Sequence, residues 1–153
     1  MSGYNESAYK QARDSAIALP CPFERALLSL CAVCGKSRKL LLAEREAITC
    51  TEQRANSQCH EFHQALHTNA RFALHIDPSQ PWPFGKEIRA QCGGILGLRD
   101  ILTTPESNPG TDISHVLNVA LTRYGEIADF PYSEIMRAIV HYQPRKRRGD
   151  ASE

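Results

Sequence analysis

The chain is predicted to be a small, mainly helical domain with an N-terminal cysteine-rich helical lobe and a C-terminal helical half. Three observations predict this: helical spacing of apolar residues over most of the chain, prolines and glycines where helices would begin and end, and a length of 153 residues. That length is enough for one core and too short for two ordinary domains. The expected division is a flexible N-terminus at 1–15, a single metal-binding domain at 16–142 and a disordered basic tail at 143–153. Within the domain, the Cys-rich lobe covers about 20–76, a loop 77–85 and the second helical half 86–142.

Pro20 and Pro22 flank Cys21, and Pro22 suits the first position of a helix running to about Cys34. Phe23, Leu27, Leu30, Cys31 and Cys34 would then form one apolar stripe, and Gly35 would end the helix. Lys36 to Ile48 reads as a second helix, with Leu40, Leu41, Ala43, Ala47 and Ile48 apolar and the charged residues between them solvated. Thr49 and Glu52 fit a capping box, so a third helix is expected from near Cys50 to Leu66 or beyond.

The stretch from Pro78 to Pro83 contains three prolines and cannot continue a helix. Lys86 to Leu102 has helical spacing, and Gly93, Gly94 and Gly97 within it allow another backbone to come close. Thr111 or Asp112 can cap a helix through about Tyr124, and Pro131 can start a last one through about Tyr142.

Composition narrows function mainly by exclusion. A hydrophobic fraction of 42%, a charged fraction of 23% and a formal net charge of +1 give no overall attraction to nucleic acid or membranes. The first ten residues, MSGYNESAYK, lack the basic and apolar segments of an export signal, so a cytoplasmic protein with no membrane span is expected. The run Arg145-Lys146-Arg147-Arg148 lies in a polar tail without interleaved aromatics, which fits a solvated end or a docking tail better than a nucleic-acid surface. Catalytic signatures do not emerge. There is no phosphate-binding loop, no nucleophile elbow and no paired carboxylates suited to acid–base work, so the protein is expected not to be an enzyme.

The cysteines carry the most information. Five of six, Cys21, Cys31, Cys34, Cys50 and Cys59, fall in the first sixty residues, while Cys92 stands alone. In a reducing compartment such clustering argues for metal ligands rather than disulfides. In a three-helix arrangement Cys31 and Cys34 share a face, and Cys59 and His63 return to meet them. Cys21 would lie about 15 Å away, near Cys50.

Two metal readings follow. In the first, four of Cys21, Cys31, Cys34, Cys50 and Cys59 hold a [4Fe–4S] cluster, which requires the first helix to start late or break. In the second, zinc is held by Cys31, Cys34, Cys59 and either His63 or Cys50. Cys92 is expected to be a packing residue that could also serve as a replacement ligand. His63 and His67 are one helical turn apart and could bind a metal from one face, but the segment lacks the glutamate of a zincin motif and a solvated or partly buried helix face is expected there. The expected function is that of a small iron–sulfur protein, an electron carrier, redox sensor or accessory subunit working with a larger redox or regulatory protein. The alternatives are a zinc-binding interaction module with a basic docking tail and, as a third class, a metal-free helical adaptor whose cysteines are core residues.

Overall fold

A computed structural model of the chain describes residues 17–42 and 44–144. The expected flexible N-terminus at 1–15 and the basic run at 145–148 lie outside the described residues. The protein is mainly helical, as its apolar spacing predicts, with a two-stranded antiparallel hairpin.

In chain order the elements are α1 (Glu24–Leu28), β1 (Ser37–Leu42), β2 (Arg45–Cys50), α2 (Gln53–Ala73), α3 (Phe84–Ile88), α4 (Gly94–Leu102), α5 (Ile113–Tyr124) and α6 (Tyr132–His141). A π-helical turn, Arg89–Gly93, joins α3 to α4, and a short 3-10 turn, Ile127–Asp129, lies before α6. α2 is the central helix. Ala55, Cys59, Phe62, Leu66 and Ala70 are its buried positions at spacings of three or four, the period of one helical face. Cys59, Phe62, Leu66 and Ala70 share one core with Ile95 and Leu98 of α4, Val116 and Leu117 of α5, and Ile135 and Ile139 of α6, the last six essentially inaccessible to water.

The glycines of the α3–α4 region act where helices touch. A Cβ added at Gly97 would lie 2.5 Å from the Ala138 Cβ, and one at Gly93 would lie 2.8 Å from the Ile139 Cα. No side chain fits at those distances, so glycine is what lets α6 pack directly on α4. Asp112 caps α5 through its side chain, accepting from the His115 N–H at 3.2 Å, and Pro131 sits at the start of α6.

The N-terminal lobe departs from expectation. The helix expected from Pro22 to Cys34 stops at Leu28, after five residues, and Leu30 adopts a left-handed backbone with φ of +67°. The expected second helix, Lys36 to Ile48, is instead the β1–β2 hairpin, turning at Glu44 with φ of +64°. Its Leu, Lys, Ala and Glu content favours a helix only weakly, and tertiary pairing outweighs that preference. Pairing extends beyond the hairpin. The Cys50 N–H donates to the Leu19 carbonyl at 2.8 Å and the Cys21 N–H to the Ile48 carbonyl at 3.2 Å, laying the segment before α1 along β2. The Glu24 carboxylate accepts from the Ile48 N–H at 2.8 Å, tying α1 to the same strand.

The expected capping box is also absent. α2 begins at Gln53 after an extended Glu52, whose carboxylate pairs with the Lys36 ammonium at 2.8 Å instead of capping. Cys50 is accordingly the last residue of a strand rather than the start of a helix.

Candidate metal centre

Two loop segments, a strand and a helix deliver four cysteines to one small cavity. Cys21, Cys34, Cys50 and Cys59 all line it, together with Phe23, Ala55 and Ile113. Cys21 and Cys50 are neighbours because the chain before α1 runs antiparallel to β2, bridged at Pro20 and Thr49. Cys34 is held from the other side. The Val33 N–H donates to the Thr111 carbonyl at 3.0 Å, the Ile113 N–H to the Val33 carbonyl at 2.8 Å, and the Gly35 N–H to the Asp112 carboxylate at 2.9 Å. Cys59 comes from the second turn of α2, which is fastened to the Cys21 segment by the Asn56 side-chain amide donating to the Pro20 carbonyl at 2.9 Å. Cys59 is buried and the other three are half-buried.

The environment of these sulfurs is apolar but contains aimed donors. Burial pushes the Cys21 thiol up to about 12, partly offset by the Phe23 N–H that donates to its sulfur. Burial also raises Cys34, opposed by the N–H groups of Lys36 and Ser114, and raises Cys59 further, where the nearby sulfurs of Cys21, Cys34 and Cys50 add to the effect. Thiols so shifted are protonated and poorly nucleophilic near neutral pH, which disfavours a redox or catalytic thiol pair. A metal ion reverses the balance, because four thiolates that repel one another in an apolar pocket are each stabilised by the cation.

Spacing bears on which metal. A tetrahedral zinc–thiolate site has Zn–S bonds of about 2.3 Å and therefore neighbouring sulfurs about 3.8 Å apart. Among the described residues, the set of three or more potential donors whose ligating atoms all fall within 4.8 Å of one another is His63, His67 and Glu87, with no cysteine in it. The four thiols thus form a wider ring than a closed zinc site. The void among its lining residues is about 10 Å³, room for about one water-sized group.

Cys31 is the correction to the expected ligand set. It is disulfide-bonded to Cys92, with Cα atoms 6.0 Å apart, so the structure takes it out of the cysteine ring. The cause is the early end of α1: once the chain turns at Leu30, Cys31 faces the π-helical turn that carries Cys92, while Cys34, after the turn, faces Cys21. Cys92, expected to be a packing residue, is fully buried and also forms this cross-link. The expected separation of a lower pair, Cys21 and Cys50, from an upper set disappears because it assumed two full-length helices.

His63 does not join the cysteines. It lies one turn beyond Cys59 on α2 and meets Glu87 instead, its Nε2 2.8 Å from one carboxylate oxygen, while the His67 Nε2 is 2.7 Å from the other. Sequence reasoning paired the two histidines but missed Glu87, which comes from α3 and shares no spacing pattern with them. Among the described residues, no helix is long and apolar enough to cross a membrane. No family model, curated protein or solved structure matches the chain, so its chemistry is read from these residues alone.

Proposed function

We propose that Cys21, Cys34, Cys50 and Cys59 ligate a [4Fe–4S] cluster, and that the protein is a non-enzymatic electron carrier or redox sensor. The observation that carries this reading is the convergence of four unbonded cysteines, from two loop segments, a strand and a helix, on one cavity in a ring wider than tetrahedral zinc geometry. A cubane suits a wide ring because each thiolate binds a different iron, and the void of about 10 Å³ would have to open as the cluster is inserted. With all four irons held by cysteine, no position stays open for substrate, which argues for electron exchange rather than catalysis. Three half-buried ligands keep the cluster near the surface, within reach of a larger redox or regulatory partner. The backbone N–H groups of Phe23, Lys36 and Ser114 directed at sulfur are the kind of contacts that tune cluster potential. The proposed setting is the cytoplasm, where the four unbonded thiols stay reduced as ligands and the Cys31–Cys92 bond would have to be protected by the burial of Cys92.

The small size of the void supports a second reading, one zinc ion held by the same four cysteines after the ring contracts, which would make the protein a structural or docking module. Anaerobic purification with metal analysis separates the two. The cluster reading expects iron, acid-labile sulfide and a broad absorbance near about 400 nm that is lost in Cys21→Ser, Cys34→Ser, Cys50→Ser and Cys59→Ser and retained in Cys92→Ser. One equivalent of zinc and no colour supports the zinc reading, and a metal-free protein refutes both.

A further inference from the structure

We infer that His63, His67 and Glu87 form a second site, mononuclear and specific for a divalent transition-metal ion such as Zn²⁺, with a donor set separate from the cysteine ring. The two imidazoles stand one helical turn apart on α2, their ring centroids 4.2 Å apart, and Glu87 reaches them from α3. The Glu87 carboxylate accepts from both Nε2 atoms, at 2.8 and 2.7 Å, and all three ligating groups lie within 4.8 Å of one another. Two imidazoles and one carboxylate form the donor set of three-ligand zinc centres and of non-haem iron centres, which keep an open position for a further ligand.

Convergence alone could serve an ion pair, but here each donor is also held in place by a second residue. The His67 ring stacks on Trp82 with centroids 3.9 Å apart and planes 13° apart, and the Phe23 ring meets His63 edge-on at 5.6 Å. Gln91, carried by the π-helical turn, donates to Glu87 at 2.6 Å and accepts from the Ala26 N–H at 3.0 Å with its other end. Outer contacts of this kind orient the ligands of metal sites, and π turns are enriched at functional positions. Metal–nitrogen and metal–oxygen bonds of about 2.0–2.1 Å place neighbouring donors about 3.0–3.4 Å apart, so each histidine–carboxylate distance needs to open by only a few tenths of an ångström.

The surroundings suit an ion that keeps one exchangeable position. The side chains of His63, His67 and Glu87 are 22%, 23% and 13% exposed, sheltered but not sealed. His63 and Glu87 border a cleft of about 360 Å³ whose wall includes Trp82 and Arg25. Water or a small ligand can reach a bound ion from this cleft, whose wall carries both the Arg25 guanidinium and the Glu24 carboxylate and so has no one-sided charge.

The test is a Co²⁺ titration of the full chain as isolated, followed in the visible and near-ultraviolet, with His67→Phe and Glu87→Gln alongside. Thiolate ligation gives intense sulfur-to-metal charge-transfer bands, whereas nitrogen and oxygen ligation gives only weak visible bands, so difference spectra against the protein before Co²⁺ addition distinguish this site from Co²⁺ entering the cysteine ring. The expected result is one Co²⁺ bound without thiolate charge transfer, two histidine N–H proton resonances shifted paramagnetically, and affinity lower by at least about ten-fold in each variant. His67→Phe keeps a ring against Trp82, and Glu87→Gln keeps an oxygen facing the imidazoles. The proposal is overturned if the wild type shows no such binding event, or if folded variants bind within about two-fold of it. The wild-type spectra decide even where a variant fails to fold.

Discussion

Reduction of the Cys31–Cys92 bond separates its contribution to stability from that of the cysteine ring. The two residues are 61 positions apart, and closing a loop of that length removes unfolded-state entropy worth about 4 kcal/mol at 25 °C. The bond joins the turn after α1 to the fully buried Cys92, so it links the lobe that carries Cys21, Cys34 and Cys50 directly to the helical core. With a urea dependence of about 2–3 kcal/mol per molar for a chain of this size, the oxidised protein should unfold about 1.5–2 M urea later than the reduced one. The assay is urea unfolding by circular dichroism, with and without a phosphine reductant, on wild type and on Cys92→Ala. Wild type should show the shift and Cys92→Ala should not respond to reductant. An equal shift in Cys92→Ala would assign the stabilisation to the cysteine ring, and alkylation of both Cys31 and Cys92 before reduction would refute the bond itself. The outcome also bears on compartment, since such bonds persist in oxidising surroundings and are rare in the cytoplasm.

Two further changes probe how the fold supports the proposed centre. Asp112→Ala removes the α5 cap and also the acceptor that holds the Gly35 N–H beside Cys34. It should cost about 1–2 kcal/mol in thermal or urea unfolding and loosen metal retention in a chelator competition, whereas loss of stability with unchanged retention would mean that Asp112 does not position Cys34. Gly97→Ala places a methyl 2.5 Å from the Ala138 Cβ and should destabilise by about 1–3 kcal/mol. Adding Ala138→Gly should recover most of that loss, and strictly additive effects in the double variant would show that the two helices do not meet there.

How much could be read in advance varies along the chain. The second half was legible because its signals are local: Asp112 ahead of α5, Pro131 ahead of α6, and glycines where a neighbouring helix comes close. Asp112 and Pro131 act within a few residues of themselves, while Gly93 and Gly97 meet α6 more than forty positions on and only their small size is visible locally. The lobe was less legible because Lys36 to Ile48 has helical composition but forms strands, a choice set by the Cys50 N–H bond to Leu19 and the Glu24 carboxylate bond to Ile48. No periodicity within that segment reports partners twenty or thirty residues away.

The cysteine count and clustering by themselves pointed to a thiolate centre, and helical spacing by itself established a mainly helical chain. Only the tertiary structure divided the six cysteines into a ring of four and a bonded pair. The deciding feature is the left-handed turn at Leu30, which faces Cys31 toward Cys92 and leaves Cys34 facing Cys21. Likewise, two histidines one turn apart could be read from spacing, but their carboxylate could not. Glu87 arrives through the packing of α3 on α2, and such packing depends on the shape of the whole core rather than on any local pattern.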